Sequence, residues 1–222
     1  MKTNLLRSAT AVVAVTTGSA MAAPAMTAFH GPEANPVVRH SPGKQVLYTQ
    51  NSDSSFAYVN SQNYTSGVTA DNDQAADDFI VPSGETWKVT EVDVTGCCSG
   101  TSSITENVYF YKDKNGAPGR LVRHGSFTNL SGTGNPSFAI SLGTGVRLRA
   151  GHYWVSVVVN CNSADGCGWG WGVRTTIVND PALWQNPGNG RGTGCTTWTT
   201  LESCFGSAYA GDFMFELQGR SR

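Results

Sequence analysis

Alternation of apolar and polar side chains is the feature of this sequence that most limits its fold. The alternation is clearest in residues 75–95, where Phe79 and Val81 alternate with polar neighbours and Trp87 and Val89 resume the pattern. Successive side chains of a β-strand point to opposite faces, so a period of two residues predicts strands with one buried face. The stretch therefore indicates the middle of an antiparallel sheet.

Two irregularities divide this stretch. Pro82, Ser83 and Gly84 interrupt the alternation, and we expect them to form a turn that joins two strands. Between Val89 and Val92 the apolar phase then slips by one residue. One extra residue in a strand restores the inward phase of the following side chains, so we predict a β-bulge at residues 90 and 91.

Further strands follow from the same pattern. Residues 152–160 are apolar on both faces, which is typical of a central strand. Asn115 and Gly116 follow a strand at 104–111 and are the strongest short-range signal for a hairpin. The remaining candidate strands are 45–50, 121–128, 137–142, 146–148, 168–173 and 212–217.

The segments between these strands are expected to be irregular. Residues 51–73 are rich in Ser and Asn and predict a long loop or edge structure. Residues 180–184 predict a turn or a single helical turn, and residues 186–194 a Gly-rich loop. About ten strands without a helical pattern predict an all-β fold, an antiparallel two-sheet sandwich of jelly-roll or Greek-key type.

The first residues have the pattern of a secretory signal peptide. Lys2 and Arg7 lie before a short apolar run at residues 9–15, and Ala20 and Ala22 place small residues where a signal peptidase cuts. The run is too short to span a bilayer. We therefore expect a signal peptide at 1–22, a Pro-rich flexible leader at 23–44 and one β-sandwich domain at 45–222, secreted to the extracellular space or the periplasm.

Charge gives little indication of a partner. The formal net charge is −1 and only 14% of the residues are charged, so the composition predicts no nucleic-acid partner and no anionic membrane surface. No second apolar stretch of membrane length follows the signal peptide, and we expect no membrane span.

Six cysteines agree with an oxidising compartment. We expect two local disulfides, Cys161 with Cys167 and Cys195 with Cys204, because each pair brackets a short loop. Cys97 and Cys98 are adjacent and form either a vicinal disulfide or separate bonds with other loops. A zinc site is less favoured there, because no histidine lies at ligand spacing nearby.

The order of several short motifs resembles that of secreted bacterial β-sandwich domains of the choice-of-anchor type. The matching pieces are AADDFIVPSGETWKVTEVDV, VYFYKDKNGAPG, AGHYWVSVVV, GWGWGV and DFMFELQG. They extend over most of the chain from Ala75 onward. This sequence departs from the anchored members because no hydrophobic sorting tail follows the last motif. The resemblance implies a fold and an extracellular location, and it implies no catalytic residues.

The usual signatures of hydrolytic enzymes are absent from the sequence. It contains no G-x-S-x-G, no H-E-x-x-H and no papain-like cysteine motif. The histidines are interpreted as surface or strand-end residues; they are His30, His40, His124 and His152. The carboxylates are scattered, and a pair of them could meet only in the folded chain. We expect no catalytic residues.

A group of four aspartates is a candidate metal site. Asp71, Asp73, Asp77 and Asp78 lie close together before a strand, and carboxylate oxygens are ligands that Ca²⁺ prefers. The structural alternative is that they form turns in which their side chains accept hydrogen bonds from backbone amides. Asp212 could complete a structural calcium site only if its strand lies beside Phe79.

Tryptophans that alternate with glycines suggest a ligand surface. Gly170 and Gly172 would let a ring or a ligand approach the backbone beside the tryptophans. The predicted sugar-binding platform contains Trp169, Trp171, Trp184 and Trp198, with Arg174, Asn186, Asn189 and Arg191 as hydrogen-bonding residues. The alternative is that these tryptophans belong to the core, as we expect for Trp87 and Trp154, which lie in strongly periodic strands.

These features together predict a secreted, non-catalytic β-sandwich module that binds a glycan or another extracellular surface component. The alternative is a secreted hydrolase of glycosidic or peptide bonds, with a site assembled from dispersed acids. A third possibility is a scaffold or inhibitor that presents the Cys195 to Cys204 loop to an extracellular protein. Binding predicts exposed tryptophans, whereas hydrolysis predicts two acids, or an acid and a histidine, that converge.

Overall fold

The computed structural model describes residues 27–31, 43–97, 105–128, 137–161 and 168–222. Strands dominate this part of the chain, and the helices are short: α1 (Leu201–Phe205) and two 3-10 turns (Thr69–Asp71 and Ser207–Tyr209). The strands are β1 (Ala28–His30), β2 (Gln45–Thr49), β3 (Ser54–Asn60), β4 (Gln62–Tyr64), β5 (Gln74–Val94), β6 (Gly96–Cys97), β7 (Thr105–Asp113), β8 (Pro118–Thr128), β9 (Phe138–Cys161), β10 (Gly170–Arg174), β11 (Leu183–Gln185), β12 (Thr199–Thr200), β13 (Asp212–Phe213) and β14 (Phe215–Ser221).

The strands form two sheets, which confirms the predicted all-β sandwich. The larger sheet has the order β12-β11-β5-β9-β7-β8, with β14 and then β2 added beside β5, and β4 beside β9. The smaller sheet has the order β1-β3-β10-β13, with β6 also paired to β10. The pairs within the described residues are antiparallel, apart from the parallel pair of β4 and β9. The apolar inner faces of the two sheets pack against each other.

The central stretch that dominates the sequence is one strand, and the prediction of a turn at residues 82–84 is wrong. Strand β5 keeps the same antiparallel partner, β9, from Asp77 to Val94. Residues 82–85 leave the ladder between Val81 and Thr86, and Gly84 adopts a φ of 85° there. The chain therefore bulges outward and continues in its original direction. The second irregularity is the predicted β-bulge, since the register shifts between Val89 and Glu91.

Local turn chemistry explains the confirmed hairpin. Asn115 and Gly116 connect β7 to β8 with φ angles of 57° and 75°. Two consecutive positive φ angles are those of a type I′ turn, whose twist matches that of paired strands. The Lys114 backbone N–H donates to the Ala117 carbonyl at 2.9 Å and closes the turn.

Several segments differ from the sequence prediction. Residues 54–60 and 62–64 are strands and not loop, and β3 is an inner strand of the smaller sheet. Part of the predicted leader, Ala28–His30, pairs with β3. The candidate strands 137–142, 146–148 and 152–160 are all parts of β9. Residues 183–185 form β11 beside β5 rather than a helical turn. The predicted signal peptide lies outside the described residues.

The predicted strand at 212–217 is two strands in different sheets. Strand β13 pairs with β10 in the smaller sheet, and β14 pairs with both β2 and β5 in the larger sheet. Met214 separates them and is held from both sides, since its N–H donates to Gly172 and its carbonyl accepts from Thr95. The Trp171 indole also donates to the Met214 carbonyl, at 2.9 Å.

Aromatic side chains fill the space between the sheets. Trp171 stacks on Phe213 with ring centroids 4.6 Å apart, and Phe79 lies between Tyr153 and Trp87. Trp87 and Trp154 are both buried, as predicted. Trp154, however, belongs to a smaller cluster on the opposite face of the larger sheet, with Leu183 and Trp198.

The helices of the described residues are too short to cross a membrane.

Candidate functional site

The candidate site lies on the outer face of the larger sheet, the face turned away from the smaller sheet. Phe79, Phe110 and Val155 point into the core between the sheets. Because side chains alternate along a strand, their sequence neighbours point outward. The outer face therefore carries polar and aromatic side chains from adjacent strands; they include Gln74 and Asp78 of β5, Asn107, Tyr109 and Tyr111 of β7, and His152, Trp154, Ser156 and Asn160 of β9.

A polar pocket, here called the amide pocket, opens at one end of this face. Its volume is about 150 Å³. That volume is below the several hundred Å³ typical of drug-sized ligands and suits one small polar ring. The lining residues are Gln62, Asn63, Asn72, Asp73, Gln74, Tyr109, Val158, Gln185 and Pro187.

One group of hydrogen bonds fixes the β5 side of the pocket. The Gln74 amide donates to the Tyr111 hydroxyl at 3.0 Å and to the Ser156 hydroxyl at 2.9 Å. The Gln185 amide donates to the Gln74 carbonyl oxygen at 3.2 Å. Both hydrogens of the Gln74 amide therefore have partners, and its orientation is fixed.

A chain of asparagine amides fixes the other side. Asn72 donates to Asn63 at 2.8 Å, and Asn63 donates to the Asn160 carbonyl oxygen at 2.9 Å. Asn107 donates to the same oxygen of Asn160 at 2.7 Å. Amides that bond to one another in this way are already ordered before a ligand arrives.

Polar groups of the pocket remain available to a ligand. Within the described residues, the Tyr109 hydroxyl and the Gln185 side-chain oxygen have no hydrogen-bond partner. Burial raises the pKa of Tyr109, so its hydroxyl stays protonated and can donate. The Tyr109 ring stacks on His124 with ring centroids 4.3 Å apart, and it is nearly parallel to the Tyr111 ring at 5.9 Å.

A buried ion pair lies at the wall of the amide pocket, because one of its members, Asp73, lines the pocket. The Arg191 guanidinium donates to the Asp73 carboxylate at 3.1 Å, and both side chains are fully buried. Arg191 also donates to the Tyr64 hydroxyl at 3.2 Å. The Asn186 amide donates to the carbonyls of Ala70 and Asn72, which attaches the Gly-rich loop to the pocket wall.

An acid and histidine cluster occupies a second part of the outer face. The His152 Nε2 atom contacts the buried Asp78 carboxylate and lies 3.9 Å from the Asp180 carboxylate. The Asp180 backbone N–H donates to Asp78 at 3.3 Å. Burial raises the pKa of Asp78 to about 6, and its hydrogen bond with His152 opposes this shift. The cluster therefore places a carboxyl group whose pKa is raised in contact with an imidazole.

Asp113 lies near the other ring nitrogen of His152. Its carboxylate accepts from the Trp154 indole at 2.9 Å and from the Gly116 N–H at 3.1 Å, and it lies 3.9 Å from His152 Nδ1. Ligand atoms of Asp78, His152 and Asp180 all lie within 4.8 Å of one another, and these residues could hold a metal ion. A set that includes imidazole nitrogen suits transition metals better than Ca²⁺.

The structure does not bring the four predicted calcium ligands together. Asp77 points to the inner face, where it accepts from the Gln50 amide at 2.6 Å and the Phe213 N–H at 2.5 Å. Asp78 points to the outer face, and Asp73 pairs with Arg191. Asp71 is half-buried beside Gly190. Asp212 does lie near Asp77, since burial and then the Asp212 charge raise the pKa of Asp77.

The predicted tryptophan platform is not present. Trp169, Trp171 and Trp184 are fully buried, and half-buried Trp198 packs against Tyr111. The glycine side of β10 is filled from within the chain, because a Cβ atom at Gly170 would lie 2.8 Å from Tyr58. The core alternative is the correct one for these three tryptophans.

The polar residues predicted around the platform have structural contacts. Arg174 is buried and lies 3.4 Å from the Asp53 carboxylate. Exposed Asn189 accepts from the Gly194 N–H at 3.0 Å and shapes the loop. Arg191 forms an ion pair with Asp73.

The sequence prediction did not include the pocket residues Asn63, Asn72, Gln74, Tyr109 and Gln185. The signal that could have found them is the polar side chains that alternate with the buried ones along the strands.

The disulfide between Cys195 and Cys204 is confirmed. Cys97 is disulfide-bonded. The predicted pairings of Cys97, Cys98, Cys161 and Cys167 lie outside the described side chains.

Comparisons with known proteins give a fold similarity. No family model and no curated protein matches the sequence. A solved structure of the cysteine protease and lectin-like domains of Cwp84, a surface-layer-associated protein of Clostridium difficile, superposes with a TM-score of 0.50 at 10% identity. It covers 83% of this chain, which spans 37% of that structure. A second structure, of a clostridial Cwp84 cysteine protease after propeptide cleavage, has a TM-score of 0.47 at 12% identity, with coverages of 83% and 41%. The similarity concerns the fold alone.

Proposed function

We propose that this chain is a secreted, non-catalytic β-sandwich module that binds a glycan in the amide pocket. The observation that carries the proposal is a pocket of one-ring size whose amides are fixed by their own hydrogen bonds. Sugar hydroxyls both donate and accept, and they need fixed partners of both kinds. The amide oxygen of Gln185 and the hydroxyl of Tyr109 supply these.

The aromatic side chains support the same proposal. Tyr109 lines the pocket, and its ring is part of a row with Tyr111 and His124 on the outer face. Tyrosine combines an apolar ring with a polar tip, and such side chains suit a ligand that has both apolar C–H groups and hydroxyls. One of the two Cwp84 structures contains a domain described as lectin-like. At 10% identity the superposition shows a similar fold and nothing of a ligand.

A glycan array followed by titration of the best array glycan tests the proposal. Tyr109→Phe removes only the hydroxyl and is expected to weaken binding about 2- to 10-fold, the value of one neutral hydrogen bond. Tyr109→Ala also removes the ring and is expected to weaken binding more. Gln45→Ala, at an exposed position on β2, is the control and should leave binding unchanged. The absence of any bound glycan, or binding that survives Tyr109→Ala, would overturn the proposal.

A second candidate function is hydrolysis at the cluster of Asp78, His152 and Asp180. Both features that were expected to separate binding from hydrolysis favour this candidate, because Trp169, Trp171 and Trp184 are buried and two acids converge on His152. The glycan proposal therefore rests on the amide pocket and not on the tryptophans. The test is release of reducing ends or peptide fragments from polysaccharide and protein substrates. Our main proposal expects no release. Release that is lost in Asp78→Asn, with Glu202→Gln unaffected, would establish the hydrolase instead.

A further inference from the structure

A set of cations that form no ion pair with any described residue is a third feature of the outer face, away from the amide pocket and from the acid and histidine cluster. Lys88 of β5 lies between Arg147 of β9 and Arg220 of β14 in the strand register. The next row on the same face places Thr86 between Arg149 and Arg222. We call these two lines of side chains the basic rows; their cations, which form no ion pair within the described residues, are Lys88, Arg147, Arg149, Arg220 and Arg222.

The cations of the basic rows all point to solvent. Val89, Val146 and Leu148 are core residues, so the alternating neighbours Lys88, Arg147 and Arg149 face outward. Each of the five cations is exposed. The group holds five of the 15 Lys and Arg residues of a chain whose formal net charge is −1. The surface around these five cations is therefore positive although the formal net charge of the chain is −1.

The basic rows lack internal compensation. Side chains directly opposite on paired strands have Cβ atoms about 5 Å apart, and like charges at that distance repel. In the described part of the chain, the carboxylates that form ion pairs belong to other partners, such as Glu91 with Lys44 and Asp53 with Arg174. The Arg220 guanidinium donates to the Gly43 carbonyl instead of to an acid. A bound anion would relieve this repulsion.

Two neighbouring depressions lie among these cations. One has a volume of about 130 Å³ and is lined by Lys88, Arg147, Arg220 and Arg222. The other has a volume of about 320 Å³ and shares Lys88 and Arg220 with the first. The hydroxyls of Thr90 and Ser141 line the larger depression. The surface thus combines positive charge with groups that bond neutral hydroxyls.

We propose that the basic rows bind a polyanionic polysaccharide, a sugar polymer that carries sulfate or carboxylate groups. Four of the five cations are arginines, whose planar guanidinium binds such groups through two parallel hydrogen bonds. Cations on three neighbouring strands can each bind one anionic group of a polymer that carries such groups at regular intervals. The hydroxyls of Thr90 and Ser141 can form hydrogen bonds with its sugar rings. Export, as predicted from residues 1–22, would place this surface among extracellular polysaccharides. The proposal is independent of the amide pocket, which lies at the other end of β5.

The experiment measures binding of dextran sulfate, polygalacturonate, uncharged dextran and a short DNA duplex to the full chain. We expect binding of at least one anionic polysaccharide and no binding of uncharged dextran. Binding should weaken as salt rises, because exposed charges are screened. Comparison of the sulfated and carboxylated polymers identifies the anionic group.

Arg147→Gln/Arg220→Gln is the test variant, and Arg120→Gln/Arg123→Gln is the matched control. Both remove two exposed charges, and the control positions lie on β8 at another edge of the sheet. We expect a loss of about 10-fold or more in the test variant and less than about 2-fold in the control. The test variant should melt at the same or a higher temperature, since repulsion is relieved, and this separates lost binding from unfolding.

Equal losses in both variants would show a dependence on net charge alone and would overturn the proposal. Tighter binding of DNA than of either anionic polymer would assign the surface to nucleic acid and would overturn it as well. Failure to bind either anionic polysaccharide would reject it outright. None of these outcomes affects binding in the amide pocket, which is measured by Tyr109→Ala.

Discussion

Asp93→Asn is expected to stabilise the protein at alkaline pH and to have little effect at acidic pH. Asp93 is 1% exposed, and one of its oxygens accepts from the Gln218 amide at 2.6 Å. The other oxygen has no partner among the described residues. Burial, followed by the charges of Glu91 and Glu216, raises the pKa of Asp93 from 3.8 to about 7. The folded protein therefore prefers Asp93 protonated.

The direction of the pH dependence follows from this shift. A carboxyl group with a raised pKa in the folded state makes folding bind a proton between the two pKa values. Its contribution to stability is full below about pH 4, falls as the pH rises, and is lost above about pH 7. A shift of about three units corresponds to about 4 kcal/mol as an upper limit. Relaxation of the folded state and nearby Lys44 reduce this, and we expect a gain of about 1 to 3 kcal/mol for Asp93→Asn at pH 8.

Urea unfolding followed by tryptophan fluorescence measures this effect. Unfolding free energies of wild type and Asp93→Asn are compared at about pH 4 and about pH 8 by linear extrapolation. Glu202→Gln removes an exposed carboxylate of α1 and is the control, with no expected gain. A variant that is less stable than wild type at pH 8, or that has the same pH dependence as wild type, would refute the reasoning.

Three further perturbations follow from the described contacts. Cys195→Ser/Cys204→Ser should lower the free energy of unfolding by about 2 to 3 kcal/mol, because the disulfide closes a loop with a sequence separation of 9; an unchanged urea midpoint would contradict this. Arg191→Met should cost about 3 to 5 kcal/mol by leaving buried Asp73 unpaired, and adding Asp73→Asn should recover part of that loss in the same unfolding assay. Addition of Ca²⁺ or a chelator should leave the melting temperature unchanged, because the four predicted calcium ligands do not converge; a calcium-dependent rise would refute that interpretation.

The strands and their buried phases can be predicted because they depend on local sequence. Periodicity alone assigns Phe79 and Phe110 to the correct strands, and Asn115 with Gly116 specifies a turn that the structure contains. The chain reversal predicted at residues 82–84 is wrong for a reason that lies outside the segment. The same turn residues also fit a bulge, and only the long partner β9 decides which one forms.

The site can be predicted only in part, because sequence does not say which face of a strand is covered. Trp169, directly before β10, and Trp171 within it lie on the same side, as predicted, but that side faces the core between the sheets. The aspartate spacing draws attention to Asp78, whereas its partners His152 and Asp180 are distant in sequence and meet it only through strand pairing and loop packing. The amide pocket likewise draws residues from β4, β5, β7, β9 and β11.

The passage of the chain through Met214 determines when this protein can complete its structure during synthesis. Strand β2, made early, has to wait for β14 before it acquires a neighbour, and β10, which pairs with the earlier strands β3 and β6, waits for β13 to pair at Val173 and Arg174. A nascent chain still short of residue 215 therefore exposes edges of both layers. Such a chain would remain incompletely folded until the residues of β13 and β14 have left the ribosome.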